Sequence, residues 1–325
     1  MREFQINSNE AGQRFDKYLK KLLPEASGSF IYKMLRKKNI VLNGKKADGS
    51  EKLNTADVVK LFLADDTFEK FAGAAKSGSE FLTLRNLAFS VEPEIVYEDA
   101  DIIVINKPSG MLSQKAEAAD VSANEYILHT LIVRGELTEE MMRTFRPSVC
   151  NRLDRNTSGL LIAGKTLKGL QEMAEALKNR SVGKYYRCIV KGEVTESAHI
   201  KGYLLKDENN NQVKILNERV AEAKPIETEY RPIRSEGGYT ELEVHLITGR
   251  SHQIRAHLAS IGHPILGDHK YGIKSVNQRL EKELQIHSQM LHAYRMVFAD
   301  GREIVAPCGD EFEKFWKAVY GSRLL

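Results

Sequence analysis

Three short polar clusters carry the side chains best suited to act on a bound substrate. The first is Asn151-Arg152-Leu153-Asp154-Arg155-Asn156-Thr157-Ser158-Gly159-Leu160-Leu161, which sets one carboxylate between two arginines and between two apolar runs. The second, Lys184-Tyr185-Tyr186-Arg187, stands at the start of a strand-like stretch. The third is Thr248-Gly249-Arg250-Ser251-His252-Gln253-Ile254-Arg255-Ala256-His257-Leu258, where an alternating stretch gives way to a helical one. A helix start suits anions, because free N–H groups and the helix dipole face outward there. A carboxylate can attack a carbon or move a proton, and a guanidinium within reach favours its charged form and fixes its direction. A phenol adds a stacking surface and a second group able to move a proton. Singly, each has a plain structural reading. An Asp among arginines in a loop is most often an ion pair, and a Tyr at a strand start is most often core. His257 and His263 fit packing or helix-end hydrogen bonds. The clusters carry weight only together.

Other chemistries lack their parts. His252, His257, His263 and His269 invite zinc, but no Cys pair and no His-Glu-x-x-His element accompanies them. There is no glycine-rich phosphate loop of either nucleotide-binding type and no Gly-x-Ser-x-Gly elbow. Cys150 follows apolar Val149 and reads as core rather than nucleophile. What remains is a carboxylate with arginine partners and a tyrosine, which needs neither metal nor cofactor.

The elements that must position these groups can be read from periodicity. Phe15, Tyr18, Leu19 and Leu22 have helical spacing and stop at Pro24; a second helix from Ser27 or Ser29 runs through Ile31, Met34 and Leu35 to Arg36-Lys37-Lys38. Ile40-Val41-Leu42 then meets the turn Asn43-Gly44, which presents Lys45 and Lys46, and Val58 to Leu63 reads as a further strand. Residues 11–60 hold 12 Lys and Arg against 5 Asp and Glu, so a chain of net charge +4 carries a local excess of +7. That asymmetry points to a polyanion-binding module on a more neutral body. Residues 64–90, with FAGAAKSGSEF, have the composition of a linker. In the body, Ser122 to Glu125 forms a capping box, Thr166 to Asn179 a helix, and Glu311 to Val319 a final amphipathic helix. Tyr185–Val190, Tyr203–Ile215 around an Asn-rich turn, Glu227–Ile233 and Thr240–Ile247 read as strands. The expected fold is therefore α+β: a central mixed, mainly antiparallel sheet flanked by helices, with a small N-terminal α/β module. The expected domains are 1–63, a linker at 64–90, and a catalytic body at 91–325. At 42% hydrophobic and 28% charged residues, the chain is that of a globular protein. No run approaches the roughly 18 apolar residues of a membrane span. The N-terminus lacks a signal-peptide core, and three scattered cysteines fit a reducing compartment, so the expected location is the cytoplasm.

Five segments in order resemble pseudouridine synthases of the RluA class, in particular its RluC/RluD-like members that act on ribosomal RNA. RLDRNTSGLL resembles the catalytic motif His-Arg-Leu-Asp-x-x-Thr-Ser-Gly. TGRSHQIRAHLASIGHPILGDHKYG (248–272) is similar to the Thr-Gly-Arg-Thr-His-Gln-Ile-Arg-x-His segment and its following Gly-His-Pro-x-x-Gly-Asp. INKPSG (105–110), KYYRCIVKG (184–192) and LHAYRMVF (291–298) match further segments, and the first 63 residues look like the alpha-L RNA-binding motif. The resemblance implies that Asp154 is the essential aspartate, paired with Arg255. It implies that Tyr186 stacks on the uracil, with Ile254 against the base, and that Arg152 fills the helix space left by the flipped nucleotide. Arg36, Lys37, Lys38, Lys45 and Lys46 would meet RNA phosphates. Asn151, Ser251 and Gln114 depart from the usual His, Thr and His, which touches target choice rather than the reaction.

The implied reaction breaks N1–C1′ of a uridine and joins C5 to C1′. A carboxylate can attack C1′, or stabilise positive character there and help remove the C2′ proton; the sequence leaves both routes open. A stacked uridine must be flipped out first. The implied partner is RNA, most directly 23S ribosomal RNA or a ribosome-assembly intermediate, acted on by a monomer. Transfer RNA is the second substrate, and an RNA-binding assembly protein without the chemistry is the alternative of another class. Asp154, Arg255 and Tyr186 together favour the enzyme, since binding alone requires none of them.

Overall fold

The apolar spacing of the first 63 residues folds into six elements in the computed structural model, which describes residues 1–72, 74–207, 210 and 212–321. They are β1 (Arg2–Gln5), α1 (Phe15–Leu22), α2 (Gly28–Arg36), β2 (Ile40–Leu42), β3 (Lys45–Lys46) and β4 (Val58–Leu61). Phe15, Tyr18, Leu19 and Leu22 put one face of α1 into the module's core. Ser27 caps α2, its Oγ accepting from Phe30 N–H at 3.2 Å. Asn43 and Gly44 take positive φ of 50° and 71°, the turn that suits a two-residue hairpin, and leave Lys45 and Lys46 exposed. The strands make one antiparallel sheet in the order β1-β4-β2-β3.

Residues 64–90 are mostly helical rather than the coil that their small residues suggest: α3 (Asp65–Ala72) and α4 (Ala74–Arg85). Each helix has somewhere to bury. Phe68 and Ala72 complete the N-terminal core, whereas Leu84 enters the large core of the body. The turn at residues 7–13 also meets the body. Thr144 Oγ1 donates to the Glu10 carboxylate, and Leu167 N–H donates to Asn9 O at 3.1 Å.

The body begins with β5 (Glu94–Glu98), β6 (Ile102–Lys107), α5 (Ala123–Val133), α6 (Glu139–Thr144), β7 (Ser148–Val149), β8 (Ser158–Gly164), α7 (Leu167–Lys178) and β9 (Gly183–Lys191). It continues with β10 (Ala198–Asp207), β11 (Gln212–Leu216), β12 (Lys224–Glu236), β13 (Tyr239–Leu246) and α8 (Gln253–Ser260). The last elements are α9 (Lys274–Leu284), β14 (Leu291–Val297), β15 (Glu303–Val305) and α10 (Asp310–Tyr320). Within the Asn-rich turn, Glu208, Asn209 and Asn211 lie outside the described residues. The sheet runs β11-β10-β12-β13-β9-β14-β8-β6-β5, with β15 on β14 and β7 on β8. It is mixed and mainly antiparallel, as expected: among the described pairs only β14 and β8 run parallel.

That parallel pair gathers the site. β14 inserts between β8 and β9, so Ala293 pairs with Gly159 on one side and with Tyr186 on the other. β8 is buried on both faces and therefore reads as a continuous apolar run. Leu161 and Ala163 join the core shared with α5 and α8, while Leu160 and Ile162 pack on the opposite face with Met173 and Leu177 of α7. Gly159 is required where β8 meets β14. Its φ is +111°, and a Cβ there would lie 2.2 Å from Ala293 O.

Candidate active site

Asp154 lies in the loop between β7 and β8, and that loop is held by bonds aimed at its backbone. Asn151 Oδ1 accepts from Ile162 N–H at 2.9 Å and its amide donates to Leu160 O at 3.3 Å, so the residue that departs from the usual histidine ties the loop to β8. Ser113 Oγ donates to Leu153 O at 2.9 Å and accepts from Leu153 N–H at 3.0 Å. Lys107, at the end of β6, is fully buried. Its ammonium donates to Pro108 O at 2.9 Å, Met111 O at 2.8 Å and Arg155 O at 3.0 Å, which uses all three protons and joins the 108–111 turn to the Asp154 loop. Burial pushes the Lys107 pKa down to about 7, and the Asp154 charge opposes that shift.

Arg255 projects from α8 between two carboxylates. Its Nη1 donates to Asp154 Oδ2 at 2.7 Å; its Nε and Nη2 form a fork on Asp268 at 2.7 and 2.9 Å. Asp268 Oδ1 also accepts from the N–H groups of Lys270 at 2.8 Å and Tyr271 at 3.1 Å. Burial pushes the Asp268 carboxyl up, but Arg255 and these backbone donors outweigh it and hold it below the usual carboxylate range. For Arg255 burial acts downward, and the hydrogen bonds and charges of the two acids carry the net shift upward. Exposure separates the acids. Asp268 has 0% of its side chain exposed, and Asp154 keeps 26%. One acid anchors the arginine; the other is presented to solvent by it.

His252 stands beside Asp154. It takes a left-handed φ of 55° ahead of α8. Val213 N–H donates to Tyr271 Oη at 2.9 Å, and the Tyr271 hydroxyl lies 2.9 Å from His252 Nδ1. This contact orients the imidazole so that Nε2 lies 3.9 Å from Asp154 Oδ2. Burial lowers the His252 pKa despite the Asp154 charge, so the ring is neutral at neutral pH.

Tyr186 and Ile254 face the same space, each nearly buried and part of the large core. Burial first, and then the Asp154 charge, raise the Tyr186 pKa, so the phenol keeps its proton at neutral pH. The resulting cleft has a volume of about 1010 Å³. Arg152, exposed, stands at its edge. Among the described residues, eight Lys and Arg line this cleft, and Asp154 is its only acid. Cys150 also lines it, with its thiol pushed up to about 11 by burial, which keeps it protonated at neutral pH.

The cleft thus brings together Asp154, Arg255, Tyr186, Ile254 and Arg152. Arg36, Lys37, Lys38, Lys45 and Lys46 do not line it; they are exposed on the N-terminal module. His257 and His263 bond Thr228 Oγ1 at 3.0 Å and Lys191 O at 3.2 Å. Among the described residues, no group of three or more His, Cys, Asp or Glu is placed to hold a metal ion. Sequence reasoning assigned no role to Lys107 or Asp268. Each falls within a quoted segment, INKPSG and GHPILGD, but its partners lie elsewhere in the chain.

Residues 101–260 match the family described as RNA pseudouridylate synthase. The ribosomal large subunit pseudouridine synthase C of Pasteurella multocida is 30% identical over 97% of this chain and 92% of its own. The protein of the same name from Haemophilus ducreyi is 32% identical over 91% and 87%. Among solved structures, human RNA pseudouridylate synthase domain containing 4 aligns with a TM-score of 0.57 at 18% identity, covering 76% of this chain and 97% of that one. Human RNA pseudouridylate synthase domain containing 1 gives 0.53 at 23% identity, over 68% and 86%. These two likenesses speak to the fold.

Proposed function

Since the chain belongs to the RNA pseudouridine synthase family, of the RluA class, we propose that it isomerises specific uridines of large-subunit ribosomal RNA, with Asp154 acting on the flipped nucleotide. The observation that supports the assignment of Asp154 is the Asp268–Arg255 fork, which presents Asp154 as the only acid among the described residues that line a basic cleft.

The reaction breaks N1–C1′ and forms C5–C1′; C5 loses its proton and N1 gains one. Asp154 Oδ2 is engaged by Arg255, which leaves Oδ1 to act at C1′ or, through the sugar, at the C2′ proton. Arg255 is a positioning residue, because Asp268 fixes its direction before RNA arrives. Between cleavage and rejoining, the free uracil has to turn without leaving. The Tyr186 ring and the Ile254 side chain offer an apolar floor for it, and the protonated phenol can donate a hydrogen bond to the turning base. Arg152 at the cleft edge suits the gap that a flipped base leaves in the RNA. Arg36, Lys37, Lys38, Lys45 and Lys46 supply phosphate contacts from the N-terminal module. The names of the relatives favour ribosomal over transfer RNA. The protein acts as a monomer in the cytoplasm, without metal or cofactor.

Mapping pseudouridines in total RNA from cells with and without the gene tests the substrate. Loss of modification at one or a few uridines of large-subunit RNA is expected, restored by the wild-type gene and not by an Asp154→Asn copy. Loss confined to transfer RNA would overturn the ribosomal assignment.

A further inference from the structure

β9 puts a cation into the cleft that the proposed chemistry does not use. Lys184 stands two residues before Tyr186, so both side chains leave the same face of the strand, about 7 Å apart along it. The Lys184 side chain is half-buried and lines the cleft. Its ammonium has neither a hydrogen-bond nor an ion-pair partner among the described residues. Gly249, on the neighbouring wall, places no side chain before it: a Cβ built there would lie 3.6 Å from Lys184 Nζ. Arg180, in a left-handed turn after α7 with φ of 61°, lines the same cleft. Burial and then the Arg180 charge lower the Lys184 pKa. A half-buried ammonium near a like charge, with no acid to meet it, is unfavourable until an anion arrives. In a cleft that admits RNA, the anion carried by every nucleotide is the phosphodiester.

We propose that Lys184 and Arg180 form a phosphodiester subsite that grips a backbone phosphate flanking the target uridine and sets the register of the strand over Tyr186. This rests on the reading that the target nucleotide occupies the cleft beside Tyr186. Phosphate contacts carry no base information, but they fix orientation. A grip one strand step from the stacking ring would define which nucleotide of a loop falls over Asp154. The absence of a side chain at Gly249 leaves room for the backbone to pass.

The test uses the full-length protein and target RNA with a single methylphosphonate, a neutral mimic of phosphate, placed in turn at each linkage around the target. For wild type, one flanking position should weaken binding about 10-fold, the scale of one charge-assisted hydrogen bond. Lys184→Gln should weaken binding to unmodified RNA by a similar factor and make the salt slope shallower by about one. The methylphosphonate at that position should then cost the variant nothing further. Lys184→Arg, which keeps the charge, should recover most of the loss, and Arg180→Gln should reduce the penalty at the same linkage. An undiminished methylphosphonate penalty in Lys184→Gln overturns the subsite while leaving the cleft as the binding place. If no flanking linkage matters to wild type, RNA does not lie in the cleft, and the subsite falls together with the reading beneath it.

Discussion

Arg255 serves two carboxylates at once, and the difference between them is what makes Asp154 available. Without Arg255, the fully buried Asp268 is left with the backbone donors of Lys270 and Tyr271, and Asp154 loses its 2.7 Å ion-pair partner. Arg255→Ala is therefore expected to lower stability by about 3–5 kcal/mol, the scale of breaking a buried pair. Arg255→Lys separates stability from chemistry: the charge survives, but a lysine cannot fork onto Asp268 and reach Asp154 together. It should fold, as judged by circular dichroism and melting, and lose at least about 100-fold in single-turnover rate. A folded Arg255→Lys with a near-normal rate would show that the fork does not position Asp154. Asp154, Arg255 and Tyr186 were singled out in the sequence by the motifs that resemble the family, and the fold brings all three to one cleft. Lys107 and Asp268 were not, for a physical reason. Lys107 works by meeting Arg155 O, 48 positions on, and Asp268 by meeting a guanidinium 13 positions back across a turn, and neither meeting leaves a periodic trace.

At the scale of elements, the crossing of β14 between β8 and β9 decides where the loop and the tyrosine meet. Gly159→Ala tests it. The added methyl would have to displace the Ala293 backbone while φ stays at +111°, so the parallel pair has to open or the residue has to strain. The expected loss is more than about 3 kcal/mol in chemical denaturation, with activity falling further than stability as Asp154 shifts. A variant within about 0.5 kcal/mol of wild type, the usual range of a surface change, would mean that the close approach is not needed. Strongly periodic elements such as α1, α7, α10 and β13 could be read from the sequence, since a buried face writes itself at spacing 3.6 or 2. The α3–α4 segment could not: its alanines and glycines fit a linker until Phe68 and Leu84 find cores on either side. The parallel β14–β8 pairing joins residues 134 apart, and no local pattern encodes it.

At the scale of the whole molecule, affinity and chemistry are expected to reside in different parts. Because Phe68 and Ala72 complete the N-terminal core, the natural cut falls after residue 72. Removing residues 1–72 should leave a body that still isomerises RNA at high concentration, with weaker binding. If Arg36, Lys37, Lys38, Lys45 and Lys46 each meet a phosphate, the slope of log affinity against log salt should become shallower by about four. An unchanged affinity and slope would make that basic surface merely solvated. The measurement closest to the central claim follows the hydrogen that the reaction must expel. RNA carrying the target and labelled as [5-³H]uridine is incubated with purified protein and chelator, and released tritium is counted alongside RNA binding. Wild type should release one tritium per target uridine, and Asp154→Asn should release none while binding RNA within several-fold of wild type. Tritium release by Asp154→Asn would remove Asp154 from the reaction. No release by wild type from any large-subunit or transfer RNA would contradict the enzyme itself.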